Sequence, residues 1–283
     1  MVEAGLNIAT VLKNAPLESL ENRLLVMHAL GLTPTQLITQ DQHIIDAEQA
    51  QHLSNVFQRR LQGQPIAYIL GQREFFGLML DITSDVLIPR PDTELLVELA
   101  LERLPNDQTH PSVLDLGTGS GAIAIAIAYT RPNAVVTAVD VSTNALAIAE
   151  CNAKHHLAAN FSAFTLLYSD WYAALGAQRF DLIVANPPYI VKNDAHLSQG
   201  DLRFEPLNAL TDHADGLSAL RTIISGASEH MNPGGWLLME QGYDQSEAVQ
   251  KLLHAQPFDS IQSWQDLAGI ARVTGGRLKS ETQ

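Results

Sequence analysis

Val113-Leu114-Asp115-Leu116-Gly117-Thr118-Gly119-Ser120-Gly121 is the stretch on which the fold turns. Val113 to Leu116 reads as a short apolar strand, glycines follow at alternate positions, and Ala122 to Tyr129 continues as an apolar helix. Glycines at such a turn remove the Cβ atoms, so backbone amides can approach a ligand at the helix N-terminus. Asp140 closes the next strand-like run, Ala134 to Val139, where a carboxylate can hold ribose hydroxyls. With Ala122 in the sixth place the loop also meets the dinucleotide pattern G-x-G-x-x-A, which leaves NAD open. Asp115, just before the loop, is placed to meet a cationic ligand group. Asp170-Trp171, after the third strand, is placed to contact an adenine. Both tilt the reading away from NAD without deciding it.

Downstream the alternation continues. Asn144 to Lys154 is helical, Ala163 to Leu167 and Phe180 to Ala185 are strand-like, Gly216 to Met231 is helical and Trp236 to Met239 is a strand. Ile261, Trp264 and Ile270 to Val273 read as a closing pair of strands. Near-continuous apolar strands separated by helices predict an α/β fold with a doubly wound, mostly parallel sheet. Upstream, residues 1–66 read as a small helical domain. Leu17, Leu20, Leu24, Leu25, Ala29 and Leu30 fall on one helix face ending at Gly31, and Ala47 to Leu61 carries Ala50, Leu53, Val56 and Leu61 on another. Residues 67–90, with Tyr68, Ile69, Phe75, Phe76, Leu78 and Leu80, read as a β-hairpin linker, and 91–283 as the catalytic domain. Asp92 or Thr93 is placed to cap the helix Glu94 to Leu104.

The decisive motif is Asn186-Pro187-Pro188-Tyr189, which follows the strand Phe180 to Ala185. Its prolines fix φ and stiffen the chain where it leaves the sheet at its carboxyl edge, the edge at which open α/β sheets bind ligands. Asn186 can offer a side-chain carbonyl and Pro187 a backbone carbonyl, two acceptors that suit a planar NH₂ donor, with Tyr189 packed on its plane.

With these motifs in place the sequence resembles the class I S-adenosylmethionine-dependent methyltransferases that carry an Asn-Pro-Pro-Tyr motif. It is most similar to the protein-(glutamine-N5) methyltransferases that act on peptide-chain release factors. The resemblance covers nearly the whole chain. It includes Asp115 to Gly121, the proline corner, Pro65-Ile66-Ala67-Tyr68-Ile69-Leu70-Gly71 and Leu87-Ile88-Pro89-Arg90-Pro91-Asp92-Thr93-Glu94, with Arg203-Phe204-Glu205-Pro206 and Arg272-Val273-Thr274 further on. It implies a Rossmann-like, seven-stranded catalytic domain behind a helical N-terminal domain and a hairpin. It implies S-adenosylmethionine as cofactor, contacted by Gly117, Thr118, Gly119, Ser120, Gly121, Asp140, Trp171 and Asn186. It also implies that Asn186, Pro187, Pro188 and Tyr189 hold the glutamine of a release factor's Gly-Gly-Gln loop, with Asn186, Pro187 and Tyr189 acting in catalysis.

Composition narrows the alternatives. With 17 Lys and Arg against 31 Asp and Glu the net charge is −14, which repels phosphate backbones, so no nucleic-acid partner is expected. The same corner nevertheless fits the exocyclic amine of adenine, and an N6-adenine methyltransferase acting on DNA or RNA is the main rival. A nicotinamide-dependent oxidoreductase would leave the proline corner unexplained, and a non-catalytic module would leave the intact loop and acid unexplained. No apolar run approaches the ~18 residues of a membrane span, and Met1 to Thr10 has no secretory character, so the expectation is a cytoplasmic protein without a membrane partner. One cysteine, Cys151, excludes an internal disulfide and a cysteine metal cluster, and no metal site is expected.

The remaining polar candidates read as structural. His155-His156 sits near a helix end, Cys151 reads as core packing, and Asp212, His213 and Asp215 read as a solvated loop. Arg203 and Glu205 are open between substrate and structure, and Glu240 between a pocket and water.

Overall fold

The chain, as a computed structural model, is described over residues 2–105 and 109–280, and it divides into two units, Met1–Gln72 and Arg73–Gln283. The first unit is helical: α1 (Ile8–Asn14), α2 (Ser19–Leu30), α3 (Pro34–Thr39), α4 (Ala47–Leu61) and α5 (Ile66–Leu70). Local chemistry sets their limits. Thr33 and Asp46 form capping boxes with Gln36 and Gln49, and Gly31 ends α2 in the left-handed conformation. Ile8, Leu25, Val26, Leu53, Val56 and Phe57 make the core. Two expectations fail here. Leu20 and Leu61 face solvent, because Val26 and Phe57 fill the buried side of their helices instead. Tyr68 and Ile69 are helical, not strand-like: α5 starts after Pro65, closes at Gly71 and buries both side chains.

The second unit opens with a hairpin, β1 (Gln72–Phe75) and β2 (Leu78–Asp81), then α6 (Glu94–Arg103) behind a short 3-10 turn, Pro91–Thr93. The rest is β3 (Ser112–Leu116), α7 (Ala122–Thr130), β4 (Val135–Asp140), α8 (Thr143–Leu157), β5 (Phe164–Tyr168) and β6 (Phe180–Ala185). After these come α9 (Leu207–Leu210), α10 (Ser218–Ala227), β7 (Met231–Glu240), α11 (Ser246–His254), β8 (Phe258–Gln265) and β9 (Ala271–Leu278). The seven-stranded sheet has the order β5-β4-β3-β6-β7-β9-β8, parallel except for β9, which runs antiparallel to both β7 and β8.

Helices cover both faces. Leu114, Leu116, Ile183, Ala185, Leu237 and Met239 pack with Leu220, Ile223 and Ile224 of α10 and Val249 and Leu253 of α11. α6, α7 and α8 pack beside one another, and each also contacts strands of the sheet. Burial on both faces is why the strands are apolar at nearly every position. β7 begins earlier than its sequence indicates because Pro233-Gly234-Gly235, which reads as a turn, lies within the strand, where the pairing of β6 with β7 shifts register between Phe180 and Leu182. Among the described residues no helix is long and apolar enough to cross a membrane.

Register is the feature that builds the site. Val139 pairs with Leu116, Leu116 with Ala185, and Ala185 with Met239, so one row crosses β4, β3, β6 and β7. The residue after each is Asp140, Gly117, Asn186 and Glu240. At the opposite ends of the strands Asp181 is a tie: its Oδ2 accepts from the Ser112 N–H and hydroxyl, both at 2.8 Å, and its Oδ1 from Asn232 Nδ2 at 2.8 Å.

Asp181→Ala leaves those donors unpaired and is expected to cost about 2–4 kcal/mol of stability, measurable by urea unfolding. Asp115 and Glu240 sit fully buried at the other ends of β3 and β7, and burial pushes each carboxyl up to about 7 against the pull of its hydroxyl neighbours. A carboxyl raised in the folded state favours folding most below its unfolded value, near 4, and loses that contribution as pH rises to about 7. Asp115→Asn is therefore expected to gain stability over wild type at pH 8 relative to pH 5, a difference that melting temperatures at the two pH values would show.

Candidate active site

A cavity of about 330 Å³ opens at the carboxyl ends of β3, β4 and β6. Its floor is the glycine loop. At Gly119, φ is +56° and a Cβ would project into open space, so the backbone here stays bare toward a ligand. Gly121 has a different task. It caps α7 at φ +85°, and a Cβ there would lie 2.7 Å from Ile125 Cδ1, so it serves helix packing behind the loop. Gly117, Thr118, Gly119 and Ser120 line the cavity, whereas Gly121 does not.

Asp140 also lines it. Its Oδ2 accepts from the Gly119 N–H at 2.9 Å and its Oδ1 from the Ser142 N–H at 2.8 Å, so the acid shapes the loop as well as facing the cavity. Burial raises its pKa, opposed by those amides. Asp115 corrects its sequence reading. It is fully buried beneath the loop rather than at the cavity wall, where its Oδ2 accepts from Thr118 Oγ1 at 2.7 Å. Its Oδ1 has no hydrogen bond of good geometry.

Trp171 lines the far wall in the left-handed conformation at φ +47°, its ring edge close to Gly117. Ser169 holds this turn, its hydroxyl donating to the Trp171 carbonyl at 2.8 Å and accepting from the Ala174 N–H at 3.0 Å. Asp85, Asp140 and Asp170 all line the cavity, while Arg90, its basic residue, is ion-paired with the buried carboxylate of Glu205. The wall is thus acidic and suits a cationic ligand. Glu205 also accepts from the Ile88 N–H at 3.2 Å, so it fastens the segment that carries Arg90 to the chain after the proline corner.

Asn186 and Pro188 line the cavity; Pro187 is buried, and Tyr189 is not part of the lining. Asn186 Nδ2 donates to Thr93 Oγ1 at 3.2 Å. That bond fixes the carboxamide with its Oδ1 end free to accept elsewhere, and it corrects the capping expectation, since neither Asp92 nor Thr93 makes a side-chain cap on α6. Tyr189 Oη donates to Glu240 Oε1 at 3.2 Å, and burial, with Glu240 beside it, raises the phenol pKa. Beyond the corner, Gln245 Nε2 donates to the Tyr189 carbonyl at 3.0 Å and to the Gly216 carbonyl at 3.1 Å.

Several polar candidates change meaning. Asp212 organises its loop: its carboxylate accepts from the Ala214 and Gly216 amides and from the Ser218 N–H and hydroxyl. Cys151 is exposed, because Asn152 and Ala153 take the inward positions of α8. His156 lies 2.7 Å from the Met79 carbonyl, against the hairpin. Glu240 is buried rather than facing water. Sequence reading missed Arg90 and Thr93 as parts of the site wall, although both lie in the stretch Leu87 to Glu94 that carries the family resemblance. It also missed Asn208 and Ala209 of α9, which no motif marks.

Known proteins match this arrangement. Residues 6–71 match the family described as PrmC N-terminal domain, and residues 92–201 the family described as Methyltransferase small domain. A release factor glutamine methyltransferase of Burkholderia pseudomallei is 52% identical over 273 residues, covering 95% of this chain and 95% of the relative. A protein of the same name from Bordetella pertussis is 51% identical, covering 95% of this chain and 98% of its own. Among solved structures, a methyltransferase from Pyrococcus furiosus shares the fold with a TM-score of 0.54 at 20% identity, over 80% of this chain and 99% of that one. The doubly wound sheet expected from the strand–helix alternation and the methyltransferase architecture implied by the resemblance are borne out, and at this level of identity over nearly its whole length the chain belongs to the release factor glutamine methyltransferase family.

Proposed function

We propose that the chain methylates the side-chain amide nitrogen, N5, of the glutamine in the Gly-Gly-Gln motif of peptide-chain release factors, with S-adenosylmethionine as donor. The observation that carries this reading is the fixed carboxamide of Asn186, whose NH₂ end is taken by Thr93 and whose Oδ1 is left as an acceptor beside the glycine loop. The relatives' names support the same substrate. The work is assigned to the cytoplasm, where release factors act.

The bare glycine cradle and the acidic wall fit the cofactor, which is a cation and supplies a sulfonium-activated methyl group. In this reading Asp140 would hold the ribose hydroxyls, Trp171 would pack on the adenine, and the Gly117 to Ser120 backbone would cradle the donor. The acceptor is a poor nucleophile, because its lone pair is delocalised into the carbonyl, and no side chain of the site is basic enough to deprotonate it first. Positioning and electrostatics carry the rate instead. Asn186 Oδ1 and the Pro187 carbonyl accept the two N–H bonds of the substrate, aim the nitrogen at the methyl carbon and stabilise the positive charge that grows on nitrogen. S-adenosylmethionine, when bound, would supply the methyl group and leave as a neutral thioether, and the proton of the methylated nitrogen, by then strongly acidic, would pass to water. An adenine amine in nucleic acid would present the same two N–H bonds, but the net charge of −14 and the carboxylates of the cavity wall disfavour a polyphosphate there.

The deciding experiment incubates the protein with labelled S-adenosylmethionine and either a release factor or adenine-containing nucleic acid, and locates the methyl by mass spectrometry. Label on glutamine N5 supports the reading; label on nucleic acid alone overturns it. Asn186→Ala is expected to lower turnover roughly 10²–10³-fold, the usual effect of removing one preorganised partner, with the cofactor dissociation constant in calorimetry changing much less, since Asn186 acts mainly on substrate. Asp140→Ala should do the reverse and weaken cofactor binding first.

A further inference from the structure

Asn152 lies on the buried face of α8 with Ala145, Ala149 and Ala153, 1% exposed, and the chemistry above gives it no part. Its Oδ1 accepts from the Asp81 N–H at 2.7 Å. Its Nδ2 donates to the Asp81 carbonyl at 3.1 Å and to the Ser120 carbonyl at 2.9 Å. Backbone amides only donate and carbonyls only accept, so these three partners give the carboxamide a single orientation. An apolar side chain would suit the alanine face better, but it would leave three backbone groups unpaired in the interior.

The two segments it joins are two sides of the cavity. Ser120 belongs to the glycine loop, which lines it. Asp81 ends β2, and the chain that follows supplies Asp85, Val86, Leu87, Pro89 and Arg90 to the opposite side of the lining. That chain is laid along α8: His156 Nε2 lies 2.7 Å from the Met79 carbonyl, and Asn144 Nδ2 donates to Asp85 Oδ1 at 3.0 Å. From His156 to Asn144 is about 18 Å of helix, and Met79 to Asp85 reaches at most about 20 Å, so the two match in length and run in opposite directions. Of these three side chains only Asn152 also reaches the loop. The loop touches α8 at the same place, where a Cβ on Gly121 would lie 3.2 Å from Ala149 Cβ. Within the loop the Gly119 N–H is taken by Asp140 and the Gly121 N–H by the Thr118 carbonyl. The bond from Asn152 adds the Ser120 carbonyl, directing that oxygen at α8, since Asn152 is not part of the cavity lining.

We propose that Asn152 is a positioning residue for S-adenosylmethionine: by bonding Ser120 and Asp81 at once it sets the glycine loop against the wall that starts at Asp85. The cofactor alone is concerned, so this role does not depend on which acceptor the enzyme methylates. Without Asn152 the loop and the wall are each held by their other contacts but no longer by each other, and the cofactor has to bring them into place when it binds.

The test is calorimetry with S-adenosylhomocysteine, the demethylated form of the cofactor, on wild type, N152A, N152D and H156A, followed by steady-state methylation of a release factor. N152A is expected to bind S-adenosylhomocysteine about tenfold more weakly, the scale of one hydrogen bond, with the cofactor KM rising in step. Turnover at saturating cofactor and KM for the release factor stay within about twofold of wild type. A mere loss of folded protein would lower the active fraction and leave both KM values in place. N152D is isosteric and still accepts from the Asp81 N–H, but an ionised carboxylate cannot donate to Ser120, so it weakens binding to the same order and carries the test if N152A does not fold. H156A frees the strand at Met79 without touching the loop, and its affinity stays at the wild-type level. Wild-type affinity in the Asn152 variants overturns the proposal. Equal weakening in H156A and N152A also overturns it, because anchoring of the hairpin, not its tie to the loop, would then be what the cofactor senses.

Discussion

The site depends on strand register. Because Val139, Leu116, Ala185 and Met239 lie in one hydrogen-bonded row, the residues that follow them leave the sheet side by side: Asp140, Gly117, Asn186 and Glu240. These strands are parallel, so all four exits fall at the same edge of the sheet, and the order β4-β3-β6-β7 sets the order of the functional groups. A slip of one residue would move an exit by about 3.3 Å and turn every side chain of that strand to the other face. Burial on both faces makes such a slip expensive, and Asp181 pins the starting ends of β3, β6 and β7 against it. The reacting groups need no contact with one another to be aligned, since the backbone ladder aligns them.

On that frame the electrostatics are asymmetric. The donor side of the site is acidic, with Asp85, Asp140 and Asp170 on the cavity wall and Asp115 buried behind the loop, and the donor is a cation. In the proposed reaction the proline corner meets a neutral amide and offers it hydrogen-bond acceptors. Attraction of charge serves binding of the cofactor, and oriented dipoles serve the methyl transfer itself, which creates positive charge on a group that begins neutral. Arg90 is kept from opposing this by its pairing with Glu205, so the basic group at the cavity mouth adds little net charge.

What the sequence discloses follows the range of each interaction. The glycine loop, its acid at the end of the next strand and the proline corner each sit at a place that the local sequence marks, so their positions are legible without a structure. The strand order follows from the alternation of apolar runs. Errors arise where a neighbour decides. Tyr68 and Ile69 have strand-like side chains, yet Pro65 and Gly71 frame a helix. Cys151 is the kind of residue found in cores, but Asn152 and Ala153 hold the inward positions of that helix. Asp212 reads as a solvated acid because its partners are backbone amides, which carry no sequence signal. Thr93 reads as a cap because its partner, Asn186, is 93 residues away.

That distance bears on the chemistry. The two ends of an asparagine carboxamide are nearly equal in size and opposite in hydrogen-bonding sense, so packing cannot tell them apart; only partners can. The proline corner fixes where the Asn186 side chain is, but nothing within the Asn-Pro-Pro-Tyr motif fixes which end faces the cavity. Thr93 supplies that choice from the turn before α6, while Glu240, 51 residues beyond Tyr189 at the end of β7, accepts from the Tyr189 hydroxyl. A motif that, in the proposed function, accepts two N–H bonds is thus incomplete by itself. Its polarity comes from outside it, from Thr93, and the register of the sheet is what brings Glu240 within reach of Tyr189.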